Sequence, residues 1–148
     1  MHTETAVEIR GPAEAVFRLA AAVERWPEIL PHYRRVRVLA SEGNRRLVEM
    51  AASRDGIPVH WRAEQEVLPE SLRIRFRHVA GVTRGMEVEW RLDHRDGVTR
   101  ARIVHDLDLR WPLIGGPVAR WIIGPLFVEN IAGKTLRRIK ALVEAGAT

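Results

Sequence analysis

The chain contains no cysteine. Disulfide frameworks, thiolate metal sites and cysteine nucleophiles are excluded together, and the composition is compatible with a reducing cytoplasm. Serine is scarce, at Ser41, Ser53 and Ser71 only, and none sits in a Gly-x-Ser-x-Gly elbow. No two histidines stand at a helical ligand spacing and no His-Glu metalloprotease motif occurs, so no metal is expected. A dinucleotide fingerprint is also missing, and no cofactor is expected. Gly133-Lys134-Thr135 looks like the tail of a phosphate-binding loop, but that loop needs Gly at position 128, which is Val.

Long apolar runs and charge runs are missing as well. The most apolar stretch, Trp111 to Val128, carries Arg120, three Pro and three Gly, which makes a poor membrane-spanning helix. The polar start Met1-His2-Thr3-Glu4 lacks the apolar core of a signal peptide, so a soluble, cytoplasmic protein is expected. The net charge of +5 comes from 24 basic residues against 19 acidic ones. The bases are spread along the chain and do not alternate with aromatics, so no specific nucleic-acid partner is expected.

What the chain does have is length and period. Its 148 residues match one domain, expected over 1–148, and such a chain buries about 68–70% of its unfolded surface. Val7 and Ile9 alternate with charged neighbours as in a strand. Gly11-Pro12 ends it, and Val16, Leu19, Ala20 and Val23 predict an amphipathic helix over 12–25. Pro27 breaks that helix, leaving one short helical turn before Pro31. From Tyr33 to Trp111 the apolar period is two: Val36, Val38, Ala40; Leu47 to Ser53; Val59, Trp61, Ala63, Gln65, Val67; Leu72, Ile74, Phe76, His78; Met86, Val88, Trp90, Leu92; Ala101, Ile103, His105, Leu107, Leu109, Trp111. Short Gly-containing turns separate these runs, as in an antiparallel meander with one dry face. Pro117 can start a helical segment, Gly124-Pro125 restarts it, and a stripe from Val128 to Val143 predicts a helix over 125–145. The class is α+β: a curved antiparallel seven-stranded sheet wrapped around a long C-terminal helix, with a pocket where the two do not touch.

The polar residues on the dry face are Gln65, His78 and His105, with Tyr33 at the start of its strand. A buried polar group must be paired by the protein, by water or by a ligand, and several on one concave face point to a small-molecule pocket. Trp61, Phe76, Met86, Trp90 and Ile103 are the expected apolar lining; core packing alone also accounts for the tryptophans. Trp26 before Pro27 is expected to pack the helical turn onto the sheet edge. Trp121 lies in the apolar segment, which reads equally as a lid, a patch making transient membrane contact, or an anchor for the kinked helix.

The segment Val23-Glu24-Arg25-Trp26-Pro27-Glu28-Ile29-Leu30-Pro31-His32-Tyr33, the piece Gly81-Val82-Thr83 leading to Met86–Trp90, and the terminal Arg137-Arg138-Ile139-Lys140 resemble the START-like helix-grip superfamily (SRPBCC), in particular its bacterial polyketide aromatase/cyclase branch. The resemblance implies a polyketide cyclase/dehydrase that binds a hydrophobic aromatic or polyketide-like molecule and carries out aldol cyclisation and dehydration. It implies a carbonyl-polarising Tyr at Tyr33 and two cavity arginines. One matches Arg77 when counted back from Trp90, although strand parity turns Arg77 outward and His78 inward. The other falls on Gln65, which brings no charge. His105 or His78 would move protons. The same pieces are similar to the coenzyme Q-binding proteins, which implies the alternative of a non-catalytic quinone or lipid carrier. A ribosome-associated toxin group shares that branch.

Overall fold

The computed structural model describes residues 2–54, 56–81, 83–107 and 125–146, with residues 54 and 125–127 described by backbone alone. Strand β1 (His2–Arg10) leads into helix α1 (Ala13–Ala21), a 3-10 turn (Val23–Arg25) and a one-turn helix α2 (Trp26–Ile29). Six strands follow: β2 (Tyr33–Glu42), β3 (Arg45–Arg54), β4 (Ile57–Leu68), β5 (Arg73–Gly81), β6 (Glu87–Arg95) and β7 (Val98–Asp106). Helix α3 (Pro125–Glu144) ends the described chain. The expected positions Leu109, Trp111, Pro117 and Trp121 lie outside the described residues.

The strands form one sheet in the order β1-β7-β6-β5-β4-β3-β2, and each described pairing is antiparallel. The period of two puts Val59, Trp61, Ala63 and Gln65 of β4 on the dry face with Ile74, Phe76 and His78 of β5 and Val88, Trp90 and Leu92 of β6. Asp96 and Gly97 both have positive φ, 53° and 77°, and close the β6–β7 hairpin as a type I′ turn does. β1 is longer than its two clear apolar residues suggest. It pairs with β7 from His2↔Asp106 to Arg10↔Val98, although Thr3 and Thr5 occupy the inward positions. β2 departs from the expectation the other way. Val38 and Leu39 are about 40% exposed, because irregularities between Tyr33/Arg35 and Val38/Ala40 carry this edge strand past the core.

Helix α3 spans about 30 Å at 1.5 Å per residue and lays Val128, Ala132, Thr135, Leu136, Ile139 and Val143 against the sheet. Polar ties fix its position. Lys140 Nζ donates to the Glu8 carbonyl at 2.7 Å, the Arg10 amide donates to Glu144 at 2.9 Å, and Arg138 Nε donates to the Ile29 carbonyl at 3.0 Å. The outer face of the sheet is a lattice of opposite charges. Glu89 accepts from Arg73, Arg75 and Arg91, Glu49 lies among Arg35, Arg37 and Arg62, and Glu64 pairs with Arg77.

The meeting of β4 and β5 sets the shape of the interior. Arg62 pairs with Ala80 but Ala63 pairs with His78, so Val79 is an extra residue, a β-bulge. Beyond it, Gly81 lies opposite Trp61 at φ 99°, so close that a Cβ there would sit 2.5 Å from the His60 carbonyl oxygen and 2.9 Å from Trp61 Cα. Gly81→Ala therefore combines a left-handed backbone with backbone overlap and is expected to cost about 1–3 kcal/mol. A urea midpoint equal to that of the wild type would contradict this account of the β4–β5 contact.

Candidate functional site

Between the sheet and α3 lies a cavity. β4 and β5 supply Trp61, Phe76 and His78; β6 and β7 supply Val88, Trp90, Ile103 and His105. Trp26, Tyr33, Met50, Thr83 and Met86 complete its walls, and Val128, Ile131, Ala132 and Thr135 of α3 close it. The space open to the centre of a water-sized sphere is about 70 Å³. One water needs about 10–15 Å³ on that measure, so the cavity holds several waters or a small flat ligand. Among the described residues no Arg, Lys, Asp or Glu lines it.

One wall is an aromatic cage. Trp26 is its hub, with ring centroids 4.9 Å from Tyr33, 6.1 Å from Trp90 and 6.3 Å from Phe76, and Tyr33 stands edge-on to Trp61 at 6.1 Å. Trp26 is held from behind, since its indole Nε1 donates to the Leu19 carbonyl at 3.0 Å. The helix expected over 12–25 in fact ends at Ala21, and Pro27 sits in the first turn of α2, where its fixed φ suits a helix start, so Trp26 and Tyr33 come from the α2 turn and the strand that follows it. Trp61 stacks on His78 at 5.5 Å with planes 9° apart.

The polar groups are few. His78 Nδ1 is hydrogen-bonded to Thr83 Oγ1 at 2.6 Å, which ties the β5–β6 loop to the cavity wall. Thr135 Oγ1 donates to its own helix at the Ile131 carbonyl, 2.8 Å away, and lies 2.9 Å from His32 Nε2. With its proton committed, Thr135 accepts from His32, so Nε2 carries the His32 proton. Among the described residues, His105 Nδ1 and the Trp61 indole N–H are buried without a partner.

Burial governs the titration of all these groups. It pushes His78 down to about 3, with the neighbouring His105 acting in the same direction, and it pushes His105 down to about 4 against a small opposing pull from Asp106. His32 falls to about 4 through burial and then the charge of Lys134. Burial raises the Tyr33 phenol well above its usual range. At neutral pH the cavity therefore offers neutral imidazoles and a protonated phenol.

Of the residues singled out in the sequence, Tyr33, Trp61, Phe76, His78, Met86, Trp90, Ile103 and His105 come together on this cavity. Arg77 does not. A bulge that could have turned it inward does exist, but at Val79, beyond His78; parity holds up to His78, and Arg77 projects outward to Glu64 at 3.0 Å. Gln65 is fully buried yet lies off the cavity. Its Oε1 accepts from Arg46 Nε at 2.9 Å and its Nε2 donates to the Ala21 carbonyl at 3.0 Å, so it pins the end of α1 to the sheet. Thr83, Thr135, His32 and Met50 were not read as site residues. Thr135 carried a legible signal, as a hydroxyl on the apolar stripe between Ile131 and Ile139.

The buried histidines make stability depend on pH with a definite sign. Their folded pKa values lie below the ordinary 6.5, so between about 6.5 and 4 the unfolded chain binds more protons and stability falls with falling pH. Glu89 acts lower. Burial alone would raise it, but hydrogen bonds from Arg91 and Arg75 and their charges hold it at about 2, so its contribution is lost only below 4.5. Thermal midpoints should therefore drop already between pH 6.5 and 4.5, with a shallower slope in His105→Leu. A profile flat over that window would refute the neutral-histidine cavity.

The chain matches the family described as polyketide cyclase/dehydrase and lipid transport over residues 9–132. It is 35% identical over 75 residues to the granaticin polyketide synthase bifunctional cyclase/dehydratase of Streptomyces violaceoruber, a match covering 51% of this chain and 23% of that protein. A putative polyketide cyclase of Streptomyces cyaneus is 28% identical over 112 residues, 74% of each chain. Among solved structures the Zhui aromatase/cyclase from Streptomyces sp. R1128 superposes with a TM-score of 0.88 over 100% of this chain and 96% of its own; at 22% identity this shows the shared helix-grip fold. With most of its length matched, the chain belongs to the polyketide cyclase/dehydrase and lipid transport family.

Proposed function

We propose that this protein encloses a neutral aromatic or polyketide-like molecule between sheet and helix and carries out aldol cyclisation and dehydration on it. One observation carries the reading: an uncharged, mostly aromatic cavity holds three groups that exchange or share protons while neutral, Tyr33, His78 and His105. The named cyclases among its relatives support the same class of ligand. Folding a flexible poly-β-ketone against the cage of Trp26, Trp61, Phe76 and Trp90 would bring the reacting carbons together, which is catalysis by proximity. His105, whose Nδ1 has no protein partner, is the base that removes a proton from the carbon between two ketones. The resulting enolate carbon attacks a second carbonyl, whose oxygen takes the proton back from His105; loss of that hydroxyl with a hydrogen from the adjacent carbon then releases water and forms a C=C bond. The Tyr33 phenol donates to the carbonyl that gains negative charge.

A second reading, a quinone or lipid carrier, draws on a different feature: neither Arg77 nor Gln65 brings a positive charge to the cavity. The absence of cysteine suits a cytoplasmic protein under either reading. A cyclisation assay on a synthetic poly-β-ketone, run beside a binding titration, separates the two. Under the enzyme reading, Tyr33→Phe and His105→Leu lower the rate of product formation about 10²-fold or more and leave binding within a few-fold. Wild-type protein that binds the chain and forms no product above the uncatalysed reaction overturns the enzyme reading and leaves the carrier.

A further inference from the structure

The indole Nε1 of Trp61 and the Nδ1 of His105 are buried in the cavity wall with no hydrogen-bond partner among the described residues. Both side chains belong to residues only 8% exposed. Buried polar atoms in folded proteins nearly always have a partner, and an orphan points to a molecule that completes the site. An indole N–H can only donate. Its nearest polar neighbour cannot accept, because His78 presents its ring face to Trp61 and has committed Nδ1 to Thr83. No carboxylate among the described residues lines the cavity. Trp26 shows the contrast: its indole is equally enclosed, and the protein supplies it with the Leu19 carbonyl. His78 stands on β5, beside the β4 strand of Trp61 and one strand removed from the β7 strand of His105; it stacks on Trp61 and is close enough to His105 for their charges to interact.

We infer that Trp61 is the oxygen-reading residue of the cavity: its indole N–H donates to a carbonyl or phenol oxygen of the ligand, while His105 Nδ1, the acceptor nitrogen of a neutral imidazole, takes a hydrogen bond from an enol or phenol O–H. The inference rests on the cavity being a ligand site and narrows its ligand class. A neutral aromatic or polyketone molecule satisfies the Trp61 donor with a carbonyl oxygen and the His105 acceptor with an enolic or phenolic O–H. Hydrocarbon of the same shape, such as an isoprenoid or fatty-acyl tail, leaves them bare, and a carboxylate finds no cation.

Two probes of matched shape test this: 2-acetylnaphthalene, and 2-isopropenylnaphthalene, in which C=CH₂ replaces C=O. Each is titrated into wild type and Trp61→Phe, which keeps an aromatic ring and removes the donor. The ketone should lose about five- to tenfold in affinity, the scale of one neutral hydrogen bond, and the hydrocarbon less than about twofold. In the wild-type ¹H–¹⁵N spectrum the assigned Trp61 indole resonance should move downfield with the ketone and stay in place with the hydrocarbon. That spectrum decides the question alone if Trp61→Phe does not fold. An equal loss for both probes, or an unmoved indole resonance on ketone binding, makes Trp61 a packing residue and overturns the inference while leaving the ligand site standing. Failure of both probes to bind wild type removes the ligand site and the inference with it.

Discussion

Seven strands spaced about 4.8 Å apart make a concave dry face about 29 Å across, and one helix about 10–12 Å wide cannot cover it. Everything else in the molecule follows from that mismatch. α3 runs chiefly along β1, held there by Lys140 and Glu144, and α1 and α2 cover another part. The remainder is closed by large side chains reaching inward, Trp26, Trp61, Phe76 and Trp90. Rigid rings cannot collapse into every gap that backbone geometry leaves, and the cavity is the part they do not fill. Trp26, Trp61, Phe76 and Trp90 thus belong to the core and to the cavity wall at once.

The sheet also separates charge from polarity. Its outer face carries the arginines and glutamates in reciprocal pairs, most of them partly open to water, where each pair adds little to stability. Its inner face carries polar atoms without net charge. Burial is the main cause that holds His78 and His105 neutral, aided at His78 by the neighbouring His105 and opposed at His105 by Asp106. One strand pattern thus gives a soluble exterior and an interior in which an imidazole is a free base at neutral pH.

This division explains what the sequence made legible. Strict alternation on β4, β5 and β6 identified the inward residues, because a strand fully engaged on both sides cannot slip without turning its whole dry face outward. It was least informative at the sheet edges. The inward threonines of β1 hid most of that strand, and on β2 the irregular pairing left Val38 and Leu39 in water. Gln65 was legible as buried but not as satisfied, because its partners, the Arg46 side chain and the Ala21 carbonyl, come from β3 and α1. Thr83 could not be found by period at all. It lies on a loop, and its role depends on the β5–β6 connection folding back so that it meets His78.

The missing cation has a structural explanation. The register places Arg46 directly opposite Gln65, so a guanidinium does stand next to the position where the resemblance expects one. Its donors are already engaged by Gln65, Glu24 and the Ala21 carbonyl, and it serves the junction of α1 with the sheet. A charge held there satisfies the end of a helix, whereas the same charge in the cavity would have to be desolvated among tryptophans with no counter-ion. On the proposed cyclase reading, negative charge developing on a bound carbonyl would be met by neutral donors such as the Tyr33 phenol and the Trp61 indole. Such donors stabilise it less than a guanidinium would and cost less to bury. On the proposed reading, such a cavity selects among neutral molecules by shape and by the placement of oxygen atoms, and it excludes charged ones through the cost of desolvating them.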